Sequence, residues 1–228
     1  MFSDEQEVSY RGRKTSRAGS EQRRKSILEA ALRIVIRDGV RGVRHRAVAK
    51  EADVPLSATT YYFKDISDLI ADTFILFAEN AMAQVIDPFD GRIANYLSQC
   101  DLENIASKEV QVVVMAGVVR LTAEHICEEL EDKPGHIMAE QAFLHEATRD
   151  ATLRPLALKY RYNLEKGLRQ MATLFGSKSV ELDAKLLLTA ILHVEYEGLL
   201  DPAGVDVETI NKTLFHLFSS LMAVSSAE

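Results

Sequence analysis

One stretch constrains this chain more than any other: residues 44–63, RHRAVAKEADVPLSATTYYF. It reads as two short helices joined by a tight turn. Ala47, Val48 and Ala52 give the first helix a small apolar face. Asp53-Val54-Pro55 breaks it, because proline has no N–H to continue the ladder and pushes its predecessor out of the α region. Ser57 caps or opens the second helix, which carries Thr59, Thr60, Tyr61 and Tyr62 before Phe63 closes the unit. Hydroxyl groups bond equally well to phosphate oxygens and base edges. The pattern therefore predicts a helix-turn-helix whose second helix enters a DNA major groove. An ordinary helical hairpin at the edge of a bundle is the competing reading.

Charge separates the two. Residues 11–50 hold thirteen Lys or Arg and three acids (Glu21, Glu29 and Asp38), a net of +10, whereas the remainder of the chain carries −17. A chain that is acidic overall, at −7, yet basic in one segment is polarised: the segment suits a polyanion and the acidic bulk would be repelled by it. At 228 residues, 47% hydrophobic and 27% charged, the chain has ample material for a packed core in one or two domains. Cys100 and Cys127 are isolated and read as two buried thiols in a reducing cytosol, not as a disulfide scaffold. The first twenty-six residues are charged and lack the apolar centre of a secretory signal. The longest apolar run, residues 112–119, ends at Arg120; a bilayer span needs about 20 apolar residues, so this run is read as a buried helix. The expected location is cytoplasmic, with no membrane partner.

Taken in order, residues 1–19 have no hydrophobic period and are expected to form a flexible basic arm. Its Arg11, Arg13, Lys14 and Arg17 suit a phosphate backbone or a minor groove, and equally a solvated tail. From Ser20 the period turns helical, with Ile27, Leu28, Ala31, Ile34 and Val35 on one stripe and Gly39 as the stop. Ser67 and Asp68 open an almost wholly apolar helix that is expected to stop at Asp87-Pro88 and to link the basic unit to everything after it. Helices are then expected over residues 92–99, 108–131, 136–149, 153–175, 182–200 and 207–224. No stretch alternates as a strand would. The chain is predicted to be all-α with nine or ten helices: an N-terminal three-helix helix-turn-helix unit over residues 20–66, then a C-terminal domain over residues 67–228.

In residues 27–69 the chain resembles the TetR family of bacterial transcriptional regulators. The resemblance rests on Ile27-Leu28-x-Ala30-Ala31, Gly39, Val48-Ala49-Lys50-Glu51-Ala52-Asp53-Val54, the aromatic close Tyr61-Tyr62-Phe63, and Leu69. It departs from the family pattern at Asp53 (usually Gly), Thr60 (usually Tyr), Ile66 (usually a phosphate-touching Lys) and Arg44 (usually Thr or Ser). The resemblance implies that Arg44 and Arg46 meet the sugar-phosphate backbone, and that Ser57, Thr60 and Tyr61 face base edges. It puts Tyr62 on phosphate, and Lys64 is the candidate to replace the contact missing at Ile66. Val48, Ala52, Val54 and Phe63 are expected in the core, and Thr59 half-buried.

The resemblance also implies that residues 67–228 sense a ligand and dimerise. Independently, Val207, Ile210, Leu214, Leu217, Phe218 and Leu221 form a stripe on the last helix, and Leu186, Leu187, Leu188, Ile191, Leu192 and Leu199 make the preceding helix apolar. Two such helices per subunit suit a homodimer about a twofold axis, with the subunit's own core as the alternative. Arg120, His125, His145, Tyr160 and His193, with Tyr162 and Glu195, are polar residues within apolar helices and are the candidates for lining a pocket. The apolar richness around them favours a hydrophobic effector with a few polar anchors. His136 and Glu140 stand one turn apart without the full HExxH pattern, so a surface ion pair is expected and no metal. No nucleophile elbow, phosphate loop or Cys–His arrangement is present, so neither catalytic residues nor a cofactor are expected. The expected function is a ligand-responsive repressor that binds a palindromic operator as a homodimer and is released by a small, largely apolar effector. The alternative is an all-helical small-molecule-binding protein or enzyme whose basic unit docks an acidic protein.

Overall fold

The computed structural model describes residues 9–13 and 18–225, and among them there are ten α-helices and no strand. The chain divides into two compact units. The first gathers the chain up to Met82 together with Met138–Tyr160; the second gathers Ala83–Ile137 and the chain from Arg161 onward.

In the first unit, α1 (Ala18–Asp38) buries the expected stripe, with Ile27, Leu28, Ala31, Ile34 and Val35 each at most 1% exposed. Gly39 ends α1 with a φ of 73°, which a Cβ would resist. A short 3₁₀ turn (Val40–Gly42) leads to α2 (His45–Glu51) and α3 (Leu56–Tyr62), which pack on each other while α2 packs on α1. Two expectations for this stretch are corrected. Pro55, not Ser57, occupies the N-cap of α3, so Ser57 lies inside the first turn and caps nothing. Of the four expected core residues Val48 and Phe63 are fully buried, but Ala52 and Val54 are only half-buried, because they sit at the turn itself.

The helix α4 (Ile66–Ala81) starts at Asp65, whose side chain accepts a hydrogen bond from the Ser67 N–H at 3.1 Å. It packs on α1 and buries residues on nearly every side. The expected stop at Asp87-Pro88 does not occur: a π-helical segment (Met82–Ile86) leads into α5 (Asp87–Leu97), and Pro88 stands in its first turn, where a missing N–H costs nothing. Nor does residue 67 divide the compact units. Phe74 stacks on Phe143 at 4.6 Å between ring centroids, and Tyr160 meets Phe74 and Phe77 at 6.0 and 5.7 Å; these contacts bind Met138–Tyr160 to α4.

In the second unit, α5 packs on α6 (Lys108–Asp132), and α6 packs on α9 (Val180–Leu200) and α10 (Val207–Ser225). The helices α7 (Pro134–Ala147) and α8 (Arg154–Leu174) each contribute to both units. Residues 112–119 are not buried throughout. Val114, Met115, Val118 and Val119 are, but Val112 and Val113 are 54% and 68% exposed, because a long helix shows only part of its circumference to a core. By length and composition, Ile66–Leu97 and Lys108–Asp132 could cross a membrane; in this fold they supply much of the core. Cys127 is buried, Cys100 is half-buried, and both are free thiols.

Candidate nucleic-acid interface

The turn between α2 and α3 is set by Asp53, the one non-glycine among the described residues with positive φ, at 51°. Aspartate tolerates this left-handed conformation better than most residues. This accounts for its standing where the family pattern has glycine. The turn is closed by the Val54 N–H donating to the Ala49 carbonyl at 3.0 Å.

It leaves one face of α3 open. Ser57 and Thr60 are exposed and Tyr61 is 50% exposed, whereas Thr59 is fully buried and donates to the Leu56 carbonyl at 2.9 Å. Arg44 at the N-cap of α2, Arg46 and Lys64 are exposed as well; Arg44 makes no side-chain cap bond. With the exposed Lys50, four cations and three hydroxyls thus lie open in residues 44–64. Tyr62 departs from expectation. It is 5% exposed, its ring packs edge-on to Tyr61, and its hydroxyl lies 2.8 Å from Ser20 Oγ, so it braces α3 against α1 and does not reach outward.

The expected arm over residues 1–19 is also revised in part. Lys14 and Arg17 lie outside the described residues. Residues 9–13, however, are docked. The Arg11 and Gly12 N–H groups donate to the two carboxylate oxygens of Asp72 at 2.6 and 2.8 Å, and Arg24 Nη1 approaches the same carboxylate at 3.2 Å. The Arg13 N–H donates to the Tyr62 carbonyl at 2.9 Å, and the Tyr10 hydroxyl bonds Glu79. Gly12 is buried so closely that a Cβ there would stand 2.5 Å from the fully buried ring of Phe63. The Arg13 guanidinium lies 4.5 Å over the Tyr61 ring, and that of Arg24 lies 4.5 Å over Tyr10. Sequence reasoning missed Asp72. Its signal was a single acid inside the apolar run of α4.

The expected ligand residues are divided between the two units. His145 and Tyr160 belong to the first unit, where His145 is exposed and Tyr160 is packed among Phe74, Phe77 and the other rings. In the second unit Arg120 pairs with Glu124 at 2.8 Å on the surface, and His193 is exposed beside Glu197. His125 is half-buried and stacked on Phe89 at 4.4 Å, with Glu129 3.6 Å from its Nε2. Burial holds the His125 pKa below its ordinary value, against the attraction of Glu129. Tyr162 is 54% exposed and Glu195 is buried. The surface setting expected of His136 and Glu140 is corrected: Glu140 is buried, and His136 Nδ1 stands 3.2 Å from Glu129 Oε1. Among the described residues no group of His, Cys, Asp and Glu is arranged to hold a metal ion. An open cavity of about 460 Å³ in the first unit is lined by Arg41, Arg44, His45, Ile66, Ile70 and Glu146 among others, and none of the expected ligand residues faces it.

The last two helices differ from each other. On α10, Ile210, Leu214 and Phe218 are buried in the unit's own core against α6 residues such as Met115 and Val119. On α9, Leu187 faces that core and Leu188 is buried, while Leu182, Leu186, Tyr196 and Leu200 form an outward stripe, 62%, 49%, 47% and 69% exposed.

A three-helix head with an open second helix-turn-helix helix, joined to an all-helical body, defines the class. Comparison with known proteins shows what the chain is similar to. The HTH-type transcriptional regulator PksA of Bacillus subtilis is 22% identical over 209 residues, covering 91% of this chain and 94% of PksA. The multidrug binding protein EbrR, solved with ethidium, is 26% identical with a TM-score of 0.58 over 86% of this chain and 98% of EbrR. A TetR-family member from Streptomyces coelicolor is 24% identical with a TM-score of 0.58, again over 86% of this chain and 98% of that one. No family model matches. The resemblance first read in residues 27–69 is borne out: the fold is that of a TetR-family transcriptional regulator.

Proposed function

We propose that the chain is a repressor that binds a palindromic operator as a homodimer and leaves it when a small effector binds. The observation that carries the DNA reading is the open face of α3, with Ser57, Thr60 and Tyr61 exposed beside Arg44, Arg46 and Lys64. Helix-turn-helix proteins read base edges with the second helix and hold the backbone with cations and hydroxyls around it. Ser57, Thr60 and Tyr61 are assigned to base edges, and Arg44, Arg46 and Lys64 to phosphate. Tyr62 is withdrawn from that set.

The outward stripe on α9 supports the dimer. Leu182, Leu186, Tyr196 and Leu200 recur along one helical face with no cover from their own unit. The twofold partner proposed here lays its own α9 against that stripe, with the half-buried Leu217 and Leu221 of α10 at its margin. Two α3 helices then face half-sites about 34–36 Å apart or a multiple of that. The effector is read as a largely apolar molecule on the strength of the apolar helices, and EbrR, whose structures hold the aromatic cations proflavin, ethidium and malachite green, supports a small organic effector. Its action is a population shift: an effector that binds one dimer shape more tightly draws the protein away from the shape that fits DNA. The protein works in the cytoplasm, without catalysis.

The test is the double variant Thr60→Ala with Tyr61→Ala, assayed on an inverted repeat enriched from a random duplex pool and on an unrelated duplex. Selectivity is expected to disappear while the melting temperature and the oligomeric state stay unchanged. Unaltered selectivity would show that α3 does not read the sequence. A melting-temperature screen that starts from proflavin, ethidium and malachite green tests the effector, since a ligand that binds only the folded state raises the midpoint.

A further inference from the structure

The docked segment 9–13 does more than tie down the start of the chain. It ends with Arg13, whose N–H is fixed on the Tyr62 carbonyl and whose guanidinium carbon lies 4.5 Å over the ring of Tyr61, the half-exposed residue of the open α3 face. A guanidinium held over a ring by cation–π attraction keeps the N–H groups along its edge, and that fork can grip a phosphate in two places. Among the described residues nothing accepts a hydrogen bond from that edge. Tyr61 belongs to the C-terminal end of α3. In helix-turn-helix proteins the N-terminal part of the second helix goes to the bases; Tyr61 is the last of the residues assigned to base edges, so a cation held beyond it stands at the groove wall, beside the phosphates.

We infer that Arg13 is a DNA-phosphate contact of this protein, and that Asp72, acting through the Arg11 and Gly12 N–H groups, is its positioning residue. The inference rests on the DNA reading of α3 and extends the interface to a segment outside the helix-turn-helix. The anchor is specific in geometry: both Asp72 oxygens are used, Asp72 is fully buried, and the fit over Phe63 leaves no room for a side chain at position 12. An arm already ordered in the free protein loses little further freedom on binding DNA, so more of the contact's strength reaches the affinity.

The experiment measures binding of Arg13→Ala to the enriched inverted repeat and to an unrelated duplex over a range of salt concentrations, with Arg44→Ala alongside. Arg13→Ala is expected to weaken both by the same factor, about 10-fold for a charge-assisted hydrogen bond. The slope of log affinity against log salt should become shallower by about 0.9 for each phosphate that is no longer neutralised. Gly12→Val, which displaces the arm without removing a cation, should lose the same factor, and adding Arg13→Ala to it should lose nothing more. Arg13 is exposed, so its variant folds whatever becomes of Gly12→Val. If Arg13→Ala leaves affinity and slope intact while Arg44→Ala weakens binding, the arm is only a structural strap. If neither variant alters binding, the DNA reading of this face falls with it.

Discussion

Asp72 is the residue on which the head of the molecule turns. Burial pushes its carboxyl above the usual range, while the N–H groups of Arg11 and Gly12 pull it down. Because the folded value lies above the unfolded one, the native state keeps a proton that the unfolded chain releases, and this group's contribution to stability falls as pH rises from about 3.8 through the raised value. The arm responds in the opposite sense: its N–H groups bind the ionised form, so hydrogen-exchange protection of Arg11 and Gly12 should drop as acid protonates Asp72. Asp72→Ala strands those donors and removes one partner of the buried Arg24 guanidinium, and urea unfolding should register a loss of about 3 kcal/mol. In the second unit His125 behaves otherwise. Its burial beside Phe89 depresses the native pKa, so the unfolded chain takes the proton first and stability is lost as pH falls below about 6.5. Arg92, Glu128, Glu129 and Lys133 set the field around that ring. His125→Gln should flatten the dependence of the urea midpoint on pH in that range; an unchanged slope would mean another group titrates.

At the scale of elements, much of the fold was legible in the sequence. The α1 stripe, the gap between α6 and α7 and the limits of α8 to α10 follow from three- and four-residue spacing and from proline and glycine. What was not legible has physical causes. Pro88 looks like a stop but fits the first turn of α5, which only the preceding π-helical segment reveals. The α10 stripe looked fit for a partner, yet Ile210, Leu214 and Phe218 are spent on the unit's own core, because spacing tells which residues share a face and not what covers it. Tyr62 follows the same logic, one position from an exposed tyrosine but facing α1. Another unread feature is the close crossing of α5 and α6, where a Cβ at Gly117 would stand 2.0 Å from Tyr96 Oη. Gly117→Ala should cost about 1–3 kcal/mol by overpacking. Combined with Tyr96→Leu, which clears the space, the losses should fail to add in thermal unfolding; strict additivity would mean that the two do not touch.

For the whole molecule, the proposed function requires two heads held at a fixed spacing, and the α9 stripe is the proposed joint. Charges set on that stripe, Leu186→Lys with Leu200→Lys, should yield monomers by sedimentation and cut affinity for an inverted repeat by about 10-fold or more, since a single half-site then binds without its twin. A dimer that survives both substitutions would move the joint elsewhere. The most direct test is selection of the full-length protein's preferred sequence from a random duplex pool. The expected result is enrichment of an inverted repeat whose half-sites lie about 34–36 Å apart or a multiple of that, with binding that weakens steeply as salt rises. A pool that stays random, or that enriches a site without twofold symmetry, would contradict the division into a DNA-reading head and a dimerising body.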